Sequence, residues 1–146
     1  MTRLSALGKT AESGAAGTAP TVLLVDDEPE LRAIVAFVLA EEGCQVLEAE
    51  GAEDALTVLR SPAPVDLLFT DITLPGTDGV ALADAAKSLR PDLPVLYTSA
   101  YGADAVRRAA VRYGPVLEKP WRPAELQAVL RELLPALPRR DAETVS

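Results

Sequence analysis

The sequence predicts a doubly wound α/β sandwich built on a parallel five-stranded sheet, on three observations. Five short apolar runs recur along the chain: TVLLV (21–25), QVLEA (45–49), VDLLFT (65–70), PVLYT (94–98) and PVLE (115–118). Four of the five are nearly continuous in apolar or β-favouring residues, as strands covered on both faces require. Stretches with helical periodicity alternate with the runs, and strand-then-helix units in series build a parallel sheet with helices on both sides.

Taken in order, residues 1–19 are small and polar without a sustained period and are expected to form a disordered leader. Their Gly8-Lys9-Thr10 triplet has the ending of a phosphate-binding loop, but Arg3 stands where the first glycine should be and no strand precedes it. After the first run, Leu31, Ile34, Val35, Val38 and Leu39 fall on one helical stripe, with Pro29 at its start and Gly43 beyond its end. Ala52, Ala55, Leu56 and Leu59 mark a second helix. A third, alanine-rich helix spans about 79–90 with a less clear stripe; Asp78 and Gly79 turn the chain into it, and Pro75 and Gly76 shape the preceding loop. Val106, Ala109, Ala110 and Tyr113 mark a fourth, and Leu126, Val129, Leu130, Leu133 and Leu134 a fifth. One domain over 20–138 is expected, with a flexible tail over 139–146.

Composition narrows the chemistry. At 146 residues and 49% hydrophobic, the chain holds one sizeable core. Its longest uncharged apolar run, 33–40, is far below the roughly 18 residues of a membrane span, and the N-terminus has no apolar signal block, so a cytoplasmic protein without membrane contact is expected. The net charge of −8 opposes nucleic-acid binding. Arg107, Arg108 and Arg112 do cluster, but as the solvated outer side of a helix. The single Cys44 reads as an inert reduced thiol. With no histidine, Ser-His and Cys-His pairs and phosphohistidine chemistry within this chain are excluded.

Ligands of such sheets bind at the carboxyl ends of the strands. The first strand ends in Asp26-Asp27-Glu28, the third in Asp71, the fourth in Ser99 and the fifth in Lys119, whereas the second offers only Glu48 and Glu50, which read as solvated. With strand order 2-1-3-4-5 the four loaded ends are neighbours and form one site. Three converging carboxylates repel unless a cation joins them, and hard oxygen donors suit Mg2+. A hydroxyl and an ammonium beside them meet the needs of a transferring phosphoryl group, with Asp71 as nucleophile and an acyl phosphate as product. Taken singly, Asp26 and Asp27 could equally cap the next helix; Glu28 and Pro29 read as helix-start residues.

The fragments LLVDDEP, TDITLPGTDG, TSA and EKPW, in that order, resemble the receiver domain of two-component response regulators over about residues 21–135. The resemblance implies a flavodoxin-like sandwich of five βα units. By the same likeness Asp71 is the phosphoacceptor, and Asp26, Asp27, Asp71 and the Thr73 backbone carbonyl hold Mg2+. Ser99 and Lys119 would each meet a phosphoryl oxygen. Many receivers carry a switch aromatic three residues before the lysine; Val116 stands there, and Tyr101 is the nearest candidate to replace it or to slow hydrolysis by shielding the acyl phosphate from water.

The expected function is a phosphorylation-controlled module of a two-component or phosphorelay pathway. It would take its phosphoryl group from a histidine kinase or histidine phosphotransfer protein and act on an unknown protein target, or pass the group onward. It would be no enzyme beyond its own phosphorylation and dephosphorylation. The chain ends soon after Lys119, so no output domain is expected. Two alternatives stand beside this. A small Asp-nucleophile, Mg2+-dependent phosphatase would use the same groups, but Thr73 stands where such enzymes place a second Asp. A receiver-fold interaction domain without phosphorylation would leave the acidic trio unused. Pro120 is expected to turn the chain so that Lys119 points over the site, with Trp121 near its mouth.

Overall fold

A computed structural model of the chain describes residues 19–100, 111–135 and 137. In chain order the elements are β1 (Thr21–Val25), α1 (Pro29–Glu41), β2 (Gln45–Ala49), α2 (Ala52–Arg60), β3 (Leu67–Asp71), β4 (Thr73–Leu74), β5 (Thr77–Asp78), α3 (Gly79–Leu89), β6 (Val95–Ala100), β7 (Val116–Lys119) and α4 (Pro123–Leu133). The main sheet is parallel throughout, in the order β2-β1-β3-β6-β7, which is the expected 2-1-3-4-5 once the small hairpin β4-β5 is set aside. Residues 1–18 of the leader and the tail lie outside the described residues, as do Tyr101, Val106, Arg107, Arg108, Ala109 and Ala110.

Alternation along the strands sorts side chains into two cores, because successive residues point to opposite faces. Leu23, Val25, Leu68, Val95 and Tyr97 meet Ala55 and Leu59 of α2 and Leu82, Ala83 and Ala86 of α3. On the other face Val22, Leu24, Leu67, Phe69, Leu96 and Leu117 meet Val35 and Leu39 of α1 and Leu126 and Leu130 of α4. Among the described residues no helix is long and apolar enough to cross a membrane.

Pro29 begins α1, fixing φ where the missing N–H costs nothing. The expected stripe of α1 needs one correction: Val35 and Leu39 are buried, but Ile34 is 61% exposed. At about 100° per residue, Ile34 lies about 120° from the midpoint between Val35 and Leu39, beyond the reach of the sheet. Tyr113 also departs from expectation. It lies outside any helix, with φ 79, and its hydroxyl donates to Asp84 Oδ1 at 2.7 Å. A close approach at Gly114 governs this corner, since a Cβ there would lie 1.7 Å from the Val95 carbonyl oxygen, so the chain must run flat against β6.

The hairpin β4-β5 was not expected. Pro75 and Gly76 sit at its turn, with Gly76 at φ 76, the pairing that a type II turn requires. Asp78 then caps α3, accepting from Ala81 N at 2.8 Å, as its position before the helix implies.

Candidate functional site

The carboxyl ends of β1, β3, β6 and β7 lie side by side, so the sheet order brings Asp26, Asp71, Ser99 and Lys119 to one edge. Registers place Asp71 opposite Thr98 and Ser99 opposite Glu118. Ser99 is 2% exposed and Asp26 3% exposed, whereas Asp27 and Thr73 are exposed.

Asp71 is held at both oxygens. Its Oδ1 accepts from Thr73 N at 3.2 Å, and its Oδ2 receives the Lys119 ammonium at 3.1 Å. Lys119 thus reaches across β6 to β3 and pairs with the acid itself. Asp26 Oδ1 accepts from Glu28 N at 2.9 Å, which closes the loop leading into α1. Burial raises the pKa of Asp26 above its ordinary value; the Glu28 N–H and the Lys119 charge pull it down, while Asp71 and Asp27 push it up.

Arg32 was missed by sequence reasoning because an arginine on a helix reads as a solvated charge. Its Nη1 donates to the Asp26 carbonyl at 2.8 Å and its Nε to Glu48 Oε1 at 3.0 Å. Glu48 is therefore paired, contrary to the expectation that it is merely solvated, and Arg32 ties the acidic loop to β2. Gly79 has a larger part than turning the chain. Its N donates to the Ile72 carbonyl at 2.6 Å, and a Cβ on it would lie 2.2 Å from the Asp71 carbonyl oxygen.

Val116 stands beside Tyr97 in register, and Tyr97 fills the core there. The Tyr97 hydroxyl donates to the Arg112 carbonyl, so this aromatic is fixed in place. Arg112 in turn pairs with Asp84 at 3.1 Å on the surface. Trp121 does lie beside the site: with Lys119, Pro120, Asp26, Thr98 and Phe69 it borders an apolar cleft of about 410 Å³ against α1. The Lys119–Pro120 peptide is cis. Cys44 is buried and its thiol is pushed up to about 12, chiefly by burial, in keeping with an inert thiol.

The donors fit a hard divalent cation chemically. Asp26, Asp27, Asp71 and the Thr73 carbonyl offer only oxygen, and Asp26 is a buried carboxyl repelled by two like neighbours. Among the described residues, however, no three acidic, histidine or cysteine side chains are gathered as a metal cage; the cation beside Asp71 is Lys119.

Comparison with known proteins adds a family. The response regulator receiver domain matches residues 22–131. The chain is 35% identical over 121 residues to an uncharacterised 14.6 kDa protein of Leptolyngbya boryana, covering 80% of this chain and 92% of that one. It is 36% identical to the phosphate regulon transcriptional regulatory protein PhoB of Pseudomonas aeruginosa, covering 78% of this chain and 51% of PhoB, so it spans about half the length of that relative. The fold matches the crystal structure of a response regulator receiver protein from Sinorhizobium medicae with TM-score 0.73 and 32% identity, over 81% of this chain and 96% of that one. It also matches the receiver domain of NtrX from Brucella abortus, with TM-score 0.68 and 35% identity over 78% and 98%.

Proposed function

Since the chain belongs to the response regulator receiver domain family, we propose that it is a phosphorylation-controlled signalling module with Asp71 as the phosphoacceptor. The observation that carries this reading is the Lys119–Asp71 pair of 3.1 Å, formed between strands 48 residues apart in sequence with Ser99 buried between them. A structural ion pair alone would not require a buried hydroxyl and a second buried carboxyl at the same edge.

In the proposed reaction Asp71 Oδ2, the oxygen paired with Lys119, attacks phosphorus while Oδ1 keeps the Thr73 N–H. The P–N bond of an external phosphohistidine breaks, its electron pair returns to the imidazole nitrogen, and that nitrogen takes a proton. The product is an acyl phosphate on Asp71. Lys119 moves from the carboxylate onto a phosphoryl oxygen, and Ser99 donates its hydroxyl to another, so both neutralise charge where it develops. Bound Mg2+, held by Asp26, Asp27, Asp71 and the Thr73 carbonyl, would supply further charge neutralisation.

The donor in this reading is a histidine kinase or a histidine phosphotransfer protein, since this chain carries no histidine of its own. Exposed Ile34 and Phe37 on α1 and the neighbouring Trp121 cleft offer that protein apolar contact beside the acid. The receiver acts by contact with a further protein or by onward transfer, in the cytoplasm and without direct nucleic-acid binding. It is not a turnover enzyme.

Incubation with acetyl phosphate and Mg2+, followed by intact mass measurement, should give one phosphoryl adduct that Asp71→Asn abolishes. Sustained turnover of p-nitrophenyl phosphate would instead identify a phosphatase. No adduct, together with no Mg2+-dependent beryllofluoride binding, would leave an interaction domain that keeps the fold only.

A further inference from the structure

Two residues beyond Lys119, the Trp121 indole packs on the α1–α4 face of the sheet. Its Nε1 donates a long bond of 3.4 Å to Thr98 Oγ1. Its ring lies tilted at 42° on Phe69, with 6.5 Å between centroids. Thr98 is buried, stands in register with Asp71 on one side and Leu117 on the other, and directly precedes Ser99. Phe69 lies two residues before Asp71 on β3. One side chain therefore touches the strands that carry the acid and the hydroxyl, while belonging to the loop that follows the lysine.

That loop needs an anchor. Among the described residues β7 is an edge strand, bonded to β6 alone, and it ends at Lys119. A lysine carries its charge on a flexible four-carbon stem, so where the ammonium rests depends on how firmly its backbone is held. The indole borders the 410 Å³ cleft on the α1 side, and Thr98 and Phe69 supply its contacts toward the sheet.

We propose that Trp121 is a positioning residue. Held by Thr98 and Phe69, it fixes the backbone that follows Lys119 and thereby the ammonium over Asp71, which sets the rate of acyl phosphate formation. This rests on the phosphoacceptor reading of Asp71. Trp121→Phe keeps an aromatic ring and removes the donor; Thr98→Val keeps the shape and removes the acceptor. Each should slow phosphorylation by acetyl phosphate about fivefold, the worth of one ordinary hydrogen bond. The double variant should be no slower than either single one, because both remove the same contact. Thr98→Ser, which keeps the acceptor, should hold the wild-type rate.

A purely structural role would not pass through the lysine. In a Lys119→Met background Trp121→Phe should therefore have no further effect on the rate; the same fivefold loss there, or none in the wild-type background, would overturn the proposal. If the wild type takes no phosphoryl group, the acceptor reading fails by itself. The positioning claim is then decided by urea unfolding of Trp121→Phe, Lys119→Met and their double variant: non-additive losses support it and additive losses overturn it.

Discussion

Gly79→Ala puts a single methyl group against the backbone of Asp71. Its Cβ would stand 2.2 Å from the Asp71 carbonyl oxygen, 3.0 Å from the Asp71 carbonyl carbon and 3.0 Å from Ile72 Cα. Real Cβ atoms essentially never approach closer than 3.0 Å, so relief demands a displacement of about 0.8 Å. A flexible side chain cannot provide it, because these three nearest atoms are all main chain. The Gly79 N–H bond to the Ile72 carbonyl, at 2.6 Å, is strained by the same movement. Overpacking of this kind costs about 1–3 kcal/mol, which should lower the urea midpoint by about 1 M. Shifting a reacting group by about 1 Å also costs up to about a hundredfold in rate. The assay pairs urea unfolding followed by circular dichroism with the time course of the phosphoryl adduct by intact mass. A variant with an unchanged midpoint and an unchanged rate would refute the claim that the α3 start is pressed on Asp71. Gly76→Ala is the comparison: its Cβ meets nothing within 4 Å, so only its φ of 76 is penalised and the phosphorylation rate should hold.

Lys119→Met removes the cation beside Asp71 while keeping the stem's bulk, and the phosphorylation rate should fall by about a hundredfold, as when one preorganised charge stabiliser is lost. Trp121 is the single tryptophan and borders the cleft with Lys119, so its emission should change on adding Mg2+ with beryllofluoride and stay flat in Asp71→Asn. Alkaline pH should destabilise the fold through Cys44, whose thiol is pushed up from 9.0 to about 12, chiefly by burial, with Glu42 and Asp66 adding to it. The native state keeps a proton that the unfolded chain releases, so this stability is whole below pH 9.0 and declines by about 1.4 kcal/mol per pH unit as pH rises toward about 12. Tyr97, also pushed up to about 12 by burial, acts in the same direction. Cys44→Ala should flatten the pH slope of urea stability, whatever its effect on the baseline.

Strands buried on both faces are legible because an unbroken apolar run has few other uses, and β1 and β2 fall on the residues the pattern marks. β3 and β6 begin and end one or two residues later than expected, since a ladder is bounded by its partners rather than by its own composition. The four reactive strand ends were legible together because each is a polar residue closing an apolar strand. Their supports were not. Arg32 works through a backbone carbonyl 6 residues away, and Gly79 through an absent side chain, neither of which leaves a spacing pattern. Tyr113 followed the helical period and still lies outside a helix, because Gly114 must press against Val95. Tyr101 lies outside the described residues.

Arg32 makes the acidic edge mechanically unequal. Through one guanidinium on α1 the Asp26 loop is braced to Glu48 on β2, which ties α1, β1 and β2 together. Lys119 sits at the opposite side, on a four-residue strand that has a single neighbour among the described residues. Charge added at Asp71, as the proposed phosphorylation would add it, would meet a braced half on one side and an edge strand on the other. Displacement would then run outward through β7 and α4, in a direction set by a residue on the braced side.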